Sequence, residues 1–481
     1  MRTYLFFLMY PGALFLVIYA WKDWFPAVCG LLLMAAAIPN PEMPREVLGI
    51  TGLNIWNLVL LCIVPAWIAG RRREGLRWDL PPPAAALLAV YVLVMAVGFL
   101  RLAIAPAPVN LKASQLVGED LINPLKFLVP ALLVFDGART RSRLHLALAS
   151  ILGIYVFLSV LVLREMSLAD MRGAESLSVL GLRGVVGVTG LHRNAVSVML
   201  AGASWALLAV RPLAASRLRS AALVGLAGLV LIAQALTGGR GGYVAWIGVG
   251  LVLGLLRWRG TLVLVPIVLS AVLAAVPAVR ERALYGISDA DEDERPTGPA
   301  GEAGPIDSYR LSAGRLEVWP YMVAKIGESP LVGFGRLGYQ RSGLYAFLRS
   351  QVDATFPHPH NAYIEWLLDN GWLGLAPMVV LYGLVLVLSL ILFRDSRHPL
   401  FVAVGGVAFA LVFAYLIGST TGRSWYPTEE TVGMWAAVGL MLRIWVERSR
   451  GSDGSSDAAR EVPPGVDRPV RPTRDGTTPA T

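Results

Sequence analysis

The sequence predicts an all-α polytopic integral membrane protein of about 12–13 transmembrane helices, with a long, partly helical segment on one side of the membrane. Three observations predict it. Of 481 residues, 56% are hydrophobic and only 16% charged, against about 25% charged in a soluble domain. Mean hydropathy is +0.60. The apolar residues come in long charge-free runs, and runs of about 18 or more read as membrane-spanning helices rather than amphipathic ones.

In chain order the runs are Tyr4–Tyr19, Trp24–Ile38, Leu53–Ala69, Ala84–Ala105, Leu121–Phe135, Leu144–Leu163 and Leu191–Val210. Ala221–Leu236, Tyr243–Leu256, Thr261–Pro277, Trp372–Phe393, Leu400–Gly418 and Val432–Val446 complete the set. Between them stand short basic clusters: Arg71/Arg72/Arg73, Arg139/Arg141/Arg143, Arg211/Arg217/Arg219, Arg257/Arg259, Arg394/Arg397 and Arg443/Arg448/Arg450. Clusters of this kind mark cytoplasmic loops. From Arg71 onward each successive pair brackets two spans, so the orientation is self-consistent. The net charge of +9 is spent on topology, and no nucleic-acid partner is expected. Cys29 and Cys62 lie within apolar runs and suggest neither a disulfide framework nor a metal site.

Parity then places 106–120, 164–190, 237–242, 278–361 and 419–431 on the non-cytoplasmic side. We divide the chain into N-terminal spans (1–190), a catalytic membrane region (191–446) containing the outer segment 278–361, and a disordered cytoplasmic tail (447–481). The outer segment is too polar and too rich in glycine and proline to cross a membrane, and too long for an idle connection. The tail lacks any apolar pattern that would pack.

Three clusters can carry chemistry. Arg240 is the only charged residue between Ala221 and Leu256, within Thr237-Gly238-Gly239-Arg240-Gly241-Gly242. A charge this close to hydrocarbon costs up to roughly 3 kcal/mol at mid-membrane. Gly239 and Gly241 allow close backbone approach and expose N–H groups, as in anion-binding nests. The turn suits an anion held at the membrane surface; the alternative is an arginine that snorkels to anchor a hairpin. The second cluster, Arg315-Leu-Glu-Val-Trp319, opens a helix with Leu316, Trp319, Val323 and Ile326 on one face. That face is expected to lie on the membrane surface. Arg315 in its first turn is placed to grip an anion together with free backbone N–H groups, or is simply solvated. The third is His358-Pro359-His360-Asn361, with Asn361 as a helix cap and Asn370-Gly371 as the end of that helix. There the helix field favours neutral His360, the form a general base needs.

Other signals carry less. Asp289, Asp291, Glu292, Asp293 and Glu294 precede a Pro/Gly-rich stretch and read as a solvated acidic loop rather than a metal site. Gly333-Phe-Gly335 lies far from any βαβ unit and is no nucleotide fingerprint. Arg193, in His192-Arg193-Asn194, and Arg423, near Glu429 and Glu430, stand as ligand contacts or interface anchors.

Taken together, the Arg240 turn, Arg315-Leu-Glu-Val-Trp319, Glu328-Ser-Pro-Leu-Val-Gly-Phe-Gly335 and the run from His360 to Leu375 resemble the O-antigen ligase and polymerase superfamily. The resemblance implies a largely helical, GT-C-like membrane glycosyltransferase of polysaccharide biosynthesis. Its donor is a glycan on undecaprenyl diphosphate, and its acceptor a glycan, lipid A–core or protein. It implies a bacterial inner-membrane location with the site facing the periplasm, no cofactor and no metal. His360, Arg240 and Arg315 take the catalytic positions. Gly239, Gly241, Trp319, Asn361, His358, Arg193 and Arg423 join them in substrate binding. The family turn has serine before the arginine where this chain has Gly239, so that hydroxyl is absent here. A polytopic transporter or glycan flippase explains the spans and Arg240 equally well, but not an outer segment bearing Arg315 and His360.

Overall fold

A computed structural model of the chain describes residues 9–44, 46–47, 50–51, 53–105, 112–166, 174–284, 312, 314–352, 356–422 and 424–460. The helices in order are α1 Met9–Ala20, α2 Trp24–Met34, α3 Ile55–Arg73, α4 Pro82–Ile104, α5 Ala113–Val117, α6 Asn123–Gly137 and α7 Arg141–Glu165. Next come α8 Ala174–Thr189, α9 Arg193–Ala209, α10 Arg217–Leu236, α11 Arg240–Leu256, α12 Thr261–Ala275 and α13 Pro277–Leu284. The last are α14 Arg315–Ile326, α15 Gly338–Arg341, α16 Leu344–Gln351, α17 Ala362–Arg394, α18 Pro399–Gly418 and α19 Val432–Arg460. A two-stranded hairpin, Glu46–Val47 with Ile50–Thr51, is the sheet found among the described residues.

The chain is an all-α polytopic membrane protein, and each predicted apolar run coincides with a helix. Among the described residues seven helices are long and apolar enough to cross a membrane, or eight if the bent pair α12/α13 is one span. Several remaining runs form shorter apolar helices, such as α1, α2 and α11, which brings the set toward the 12–13 expected. Two details were not predicted. Segment 164–190 contains the helix α8, and α19 runs on to Arg460, inside the expected tail. The acidic run 289–294 and residues 461–481 lie outside the described residues.

The middle of the bundle is α9 against α18. Gly202 makes this possible: a Cβ there would stand 2.8 Å from the Ala410 carbonyl oxygen, so the backbones meet as small residues allow in membranes. Helices α10 and α11 pack on α9, and α17 on α18.

At the end of the bundle that carries the basic clusters, several arginines are paired with carboxylates. Fully buried Asp136 accepts from Trp67 Nε1 (2.9 Å), Arg71 Nε (2.8 Å) and Arg139 (3.0 Å). Asp79 receives two hydrogen bonds from buried Arg443 (2.8 and 2.6 Å) and others from Arg139 and Arg450. Burial by itself would raise the Asp79 pKa, but hydrogen bonding and charge from Arg443, with Arg139 and Arg450, hold it at about 2.

At the opposite end, α17 solves a length problem. Its 33 residues would span about 50 Å, against a hydrocarbon core of about 30 Å. Residues Trp372–Arg394 run antiparallel to α18, and the excess turns aside at Gly371 (φ 59°, ψ −165°). The Ala362 N–H then bonds the Ser419 carbonyl at the end of α18 (2.9 Å). The sequence placed a helix end at Asn370-Gly371; the structure makes it a kink, because outside partners satisfy the backbone groups freed there. Trp372 and Leu373 N–H bond the carbonyls of Pro330 and Leu331 (2.8 and 3.0 Å), while Phe334 and Gly335 N–H bond those of Leu368 and Asp369 (2.6 and 2.7 Å). Gly333-Phe-Gly335 is therefore half of a backbone interlock.

Arg336 completes it. Its guanidinium reaches Asp120 (2.8 Å), Glu365 (3.2 Å) and Asp369 (3.1 Å) and lies 3.9 Å from the Tyr426 ring centroid. Burial opposes its charge, but Tyr426 and the three carboxylates outweigh burial and hold it protonated. Around the interlock sits a small second core of Val318, Met322, Ile326, Tyr339, Leu344, Leu348, Ile364 and Leu368. This corrects the predicted face of α14. Val318, Met322 and Ile326 are buried, whereas Leu316 and Val323 are 49% and 59% exposed. The helix packs on the outer segment's own core, which selects the stripe at i, i+4, i+8.

Three outcomes are expected. Gly371→Ala places a Cβ over the Leu331 carbonyl in a backbone region nearly exclusive to glycine, and loses about 1–3 kcal/mol or more. Thermal unfolding in detergent checks this, with Gly383→Ala, which meets nothing within 4 Å, as the silent control. Arg336→Leu strands three carboxylates and destabilises by about 3–5 kcal/mol, read in the same assay. Asp79, depressed in the fold, stabilises it above an unfolded pKa of about 3.9. That contribution disappears as pH falls through about 2. Asp79→Asn therefore melts earlier at neutral pH and shows a flatter acid dependence between these values.

Candidate active site

Of the helices that begin at the end of the bundle opposite the basic clusters, four frame the site, and three of these begin with an arginine. Arg193 opens α9 behind His192, whose Nδ1 accepts from the Asn194 N–H (3.3 Å). Arg240 opens α11 after a turn in which Gly238 has φ 66°. Arg315 opens α14 after Gly314 at φ 74°. The fourth, α17, is capped by Asn361, whose side chain accepts from the Tyr363 and Ile364 N–H groups (3.0 and 3.2 Å). Each start leaves backbone N–H groups unsatisfied and presents the positive end of a helix dipole. These are anion-binding positions.

The side chains share one cavity of about 640 Å³. Its polar wall holds Arg193, Arg240, Arg282, Arg315, His192 and His360, with no carboxylate among the described residues that line it. The rest is aliphatic, including Leu231, Val244, Ile247, Leu269 and Val272 from α10, α11 and α12. One face is thus cationic and the other hydrocarbon-like. At Arg315 burial lowers the pKa, and its Nε is buried without a hydrogen-bond partner among the described residues. An arginine stays charged under such desolvation and favours an anionic partner.

His360 is held by its own loop. Its φ is 52°, a left-handed conformation that histidine tolerates better than most residues. Its N–H donates to His358 Nδ1 (3.3 Å), and the two ring centroids are 3.9 Å apart. Trp319 Nε1 donates to the Pro359 carbonyl (3.2 Å), tying α14 to the histidine loop. Arg315 and His360 thereby keep a fixed relation although 45 residues separate them.

Of the sequence-predicted site residues, Arg193, Arg240, Gly241, Arg315 and His360 line this cavity. His358 lines a smaller neighbouring one. Trp319 and Asn361 act on the position of the His360 loop instead. Gly239 is not on the wall: a Cβ there would stand 2.6 Å from Ser197 Cβ and 3.0 Å from Ser197 Oγ. Ser197 Oγ itself donates to the Gly239 carbonyl (2.8 Å), so a hydroxyl of α9 already fills the space beside Gly239. Gly241 is small for a related reason, since a Cβ would lie 2.7 Å from Thr421 Oγ1. These glycines serve close packing of α11 as well as exposure of N–H groups. Arg423 lies outside the described residues.

Sequence reasoning missed Arg282 and Gln234. Arg282 follows the apolar run of α12 and is brought over the cavity by a 111° bend between α12 and α13. Its Nε donates to the Gly238 carbonyl in the Arg240 turn (3.3 Å). The sequence offers only Arg-Glu-Arg after Pro277, which resembles any charged span exit. Gln234 is a buried amide within a span, bonded to Ser197 Oγ (3.2 Å). A polar residue in such a run was the available signal.

No curated protein matches the chain. The family model for O-antigen ligase matches residues 225–379, a stretch that contains Arg240, Arg282, Arg315 and His360 and ends beyond the kink of α17. Over that stretch, about a third of the chain, the multi-pass membrane protein is similar to O-antigen ligases.

Proposed function

We propose that the protein transfers a glycan from undecaprenyl diphosphate to an acceptor hydroxyl on the periplasmic face of a bacterial inner membrane. One observation carries the reading: a single cavity is lined by four arginines and two histidines on one side and by aliphatic side chains on the other. That combination matches a lipid with a doubly anionic head. The aliphatic wall of α10, α11 and α12 takes the start of the polyprenyl chain, and the helix N-termini with Arg193, Arg240, Arg282 and Arg315 take the diphosphate.

The chemistry follows from charge. As the anomeric C–O bond breaks, its electron pair leaves with the diphosphate, and negative charge grows where the arginines stand. Each charge-assisted hydrogen bond contributes about 1.5–3 kcal/mol. Arg240 and Arg315 are the principal ligands, and the guanidinium groups supply the neutralisation without a metal ion. The acceptor O–H gives its proton to His360 as its oxygen bonds the anomeric carbon, an inverting displacement. Undecaprenyl diphosphate is the second product. The acceptor is a glycan, lipid A–core or protein hydroxyl; polymerase and ligase share this donor machinery.

A flippase reading draws on the break between α12 and α13. It gives His360 no task, and transporters use paired broken helices around a midplane site.

With purified protein and lipid-diphosphate glycan, His360→Ala is expected to lose about a hundredfold or more in turnover. Arg240→Ala and Arg315→Ala each lose about tenfold or more. Full turnover by the His360 variant removes the base assignment, and labelled glycan that crosses the bilayer without covalent transfer replaces the enzyme reading with transport. Deleting the gene and sizing the accumulated lipid-linked glycan separates the two enzyme roles: single repeats indicate a polymerase, long chains a ligase.

A further inference from the structure

Another cavity, of about 730 Å³, lies beyond the first, toward the end of the bundle that carries the basic clusters. Leu231, Trp246 and Val268, one each from α10, α11 and α12, line both, so they form a neck between two chambers of one groove. The groove exists because α10 and α11 each pack on α9 but scarcely on each other, while α12 packs on α11. Its floor is therefore α9, presented as Trp205. That indole is firmly seated. Its Nε1 donates to the Trp246 carbonyl (2.8 Å), and a Cβ on Gly250 would stand 2.3 Å from its Cζ2. The Trp246 and Trp258 ring centroids lie 5.2 and 6.4 Å from that of Trp205. Polar groups on the wall of this farther chamber are engaged locally. Arg211 Nε donates to Ser220 Oγ (3.2 Å), Thr261 Oγ1 to the Trp258 carbonyl (2.7 Å) and Ser204 Oγ to the Ala201 carbonyl (3.0 Å). The farther chamber thus offers a ligand mainly apolar surface.

We propose that the farther chamber holds the distal part of the donor's polyprenyl chain, so that the protein reads the length of its lipid as well as the charge of its head. The inference rests on the donor reading proposed above. In the arginine cavity the wall runs only from Leu231 to Ala235 on α10 and from Val268 to Leu273 on α12, about 6–8 Å of helix. A long polyprenyl chain outruns that distance. With the farther chamber the wall extends from Ser220 to Ala235 on α10 and from Thr261 to Leu273 on α12. That is about 18–23 Å, most of a hydrocarbon core of about 30 Å. Bilayer lipid is as apolar as the chamber, so escape from water contributes nothing to the choice of occupant. Selection comes from fit and from tethering. A methyl-branched chain lies against the indole faces and beside Ala227 and Gly228, where α10 carries little side chain. Close contact with fixed rings adds dispersion that mobile acyl chains do not match. The diphosphate, held by the arginines, also keeps its own tail at the neck at high effective concentration. A short prenyl chain ends before the neck and gains nothing beyond it.

The test uses the full-length chain in nanodiscs and measures Kd for farnesyl diphosphate and for undecaprenyl diphosphate. Each variant is compared with wild type, so that partition of the ligand into the bilayer cancels. Gly228 lines the farther chamber, and a Cβ there meets nothing within 4 Å. Gly228→Phe is expected to weaken undecaprenyl diphosphate about tenfold. It leaves farnesyl diphosphate within about twofold, which also reports that the variant is folded. Gly225→Phe, on the exposed face of the same helix and equally unobstructed, changes neither. Arg240→Ala, at the head, weakens both alike. In wild type, undecaprenyl diphosphate with a photoreactive group on its last isoprene labels residues 220–228 and 258–265, and excess unmodified undecaprenyl diphosphate suppresses the label. Unchanged undecaprenyl diphosphate binding by Gly228→Phe overturns the tail subsite, as does labelling elsewhere or equal labelling by a phospholipid bearing the same group. Equal loss of both diphosphates in Gly228→Phe overturns the separation of head from tail. Chamber labelling in a wild-type chain that transfers no glycan keeps the tail subsite and removes the transfer reaction. A wild-type chain that binds neither diphosphate refutes the donor reading and this inference with it.

Discussion

Positive charge held at the edge of hydrocarbon is the constraint on which this molecule depends. Arginine side chains at the heads of α9, α11 and α14 converge with Arg282 on a cavity with no carboxylate among the described residues of its wall. Arg240 and Arg282 both bear on Arg193 with like charge, and Arg193 and Arg315 have lost part of their hydration. Such an arrangement persists only because the rest of the fold fixes it. The helices beneath are locked by close α9–α18 packing, and the outer segment above is locked by the Gly371 interlock.

The two ends of the bundle handle arginine in contrasting ways. At the end with the basic clusters, Arg71, Arg139 and Arg443 are each matched by Asp79 or Asp136, so their charge is consumed in structure. Arg336 is spent likewise, on Asp120, Glu365 and Asp369. It stands in the outer segment, as Arg315 does, but it has three carboxylates, whereas Arg315 Nε is buried without a hydrogen-bond partner among the described residues.

The interlock also explains why the outer-segment motifs occur together. The loop 330–336 and the kinked turns 368–373 exchange backbone hydrogen bonds, and His360 sits at the far end of the same helical arm. Trp319, from the helix that Arg315 opens, bonds the Pro359 carbonyl. Arginine, histidine and the kink are therefore tied to one another by hydrogen bonds of the same segment.

Much of this was legible in the sequence. Long apolar runs without charge call for membrane helices; each run coincides with a helix, and among the described residues seven or eight are long and apolar enough to cross a membrane. The isolation of Arg240 in hydrocarbon, Arg315 at a helix start and His360 beside a cap are local facts with local consequences, and they lead to the cavity. What the sequence does not carry is the pairing of distant groups. The kink at Gly371 instead of a helix end, the buried stripe of α14, the recruitment of Arg282 and the hydroxyl of Ser197 beside Gly239 all depend on which surfaces meet. Hydrophobic periodicity states that a face must be buried and leaves its partner unspecified. Only the tertiary structure, by satisfying the backbone and charged groups of one segment with those of another, decides where Arg282 points and which arginines line the cavity.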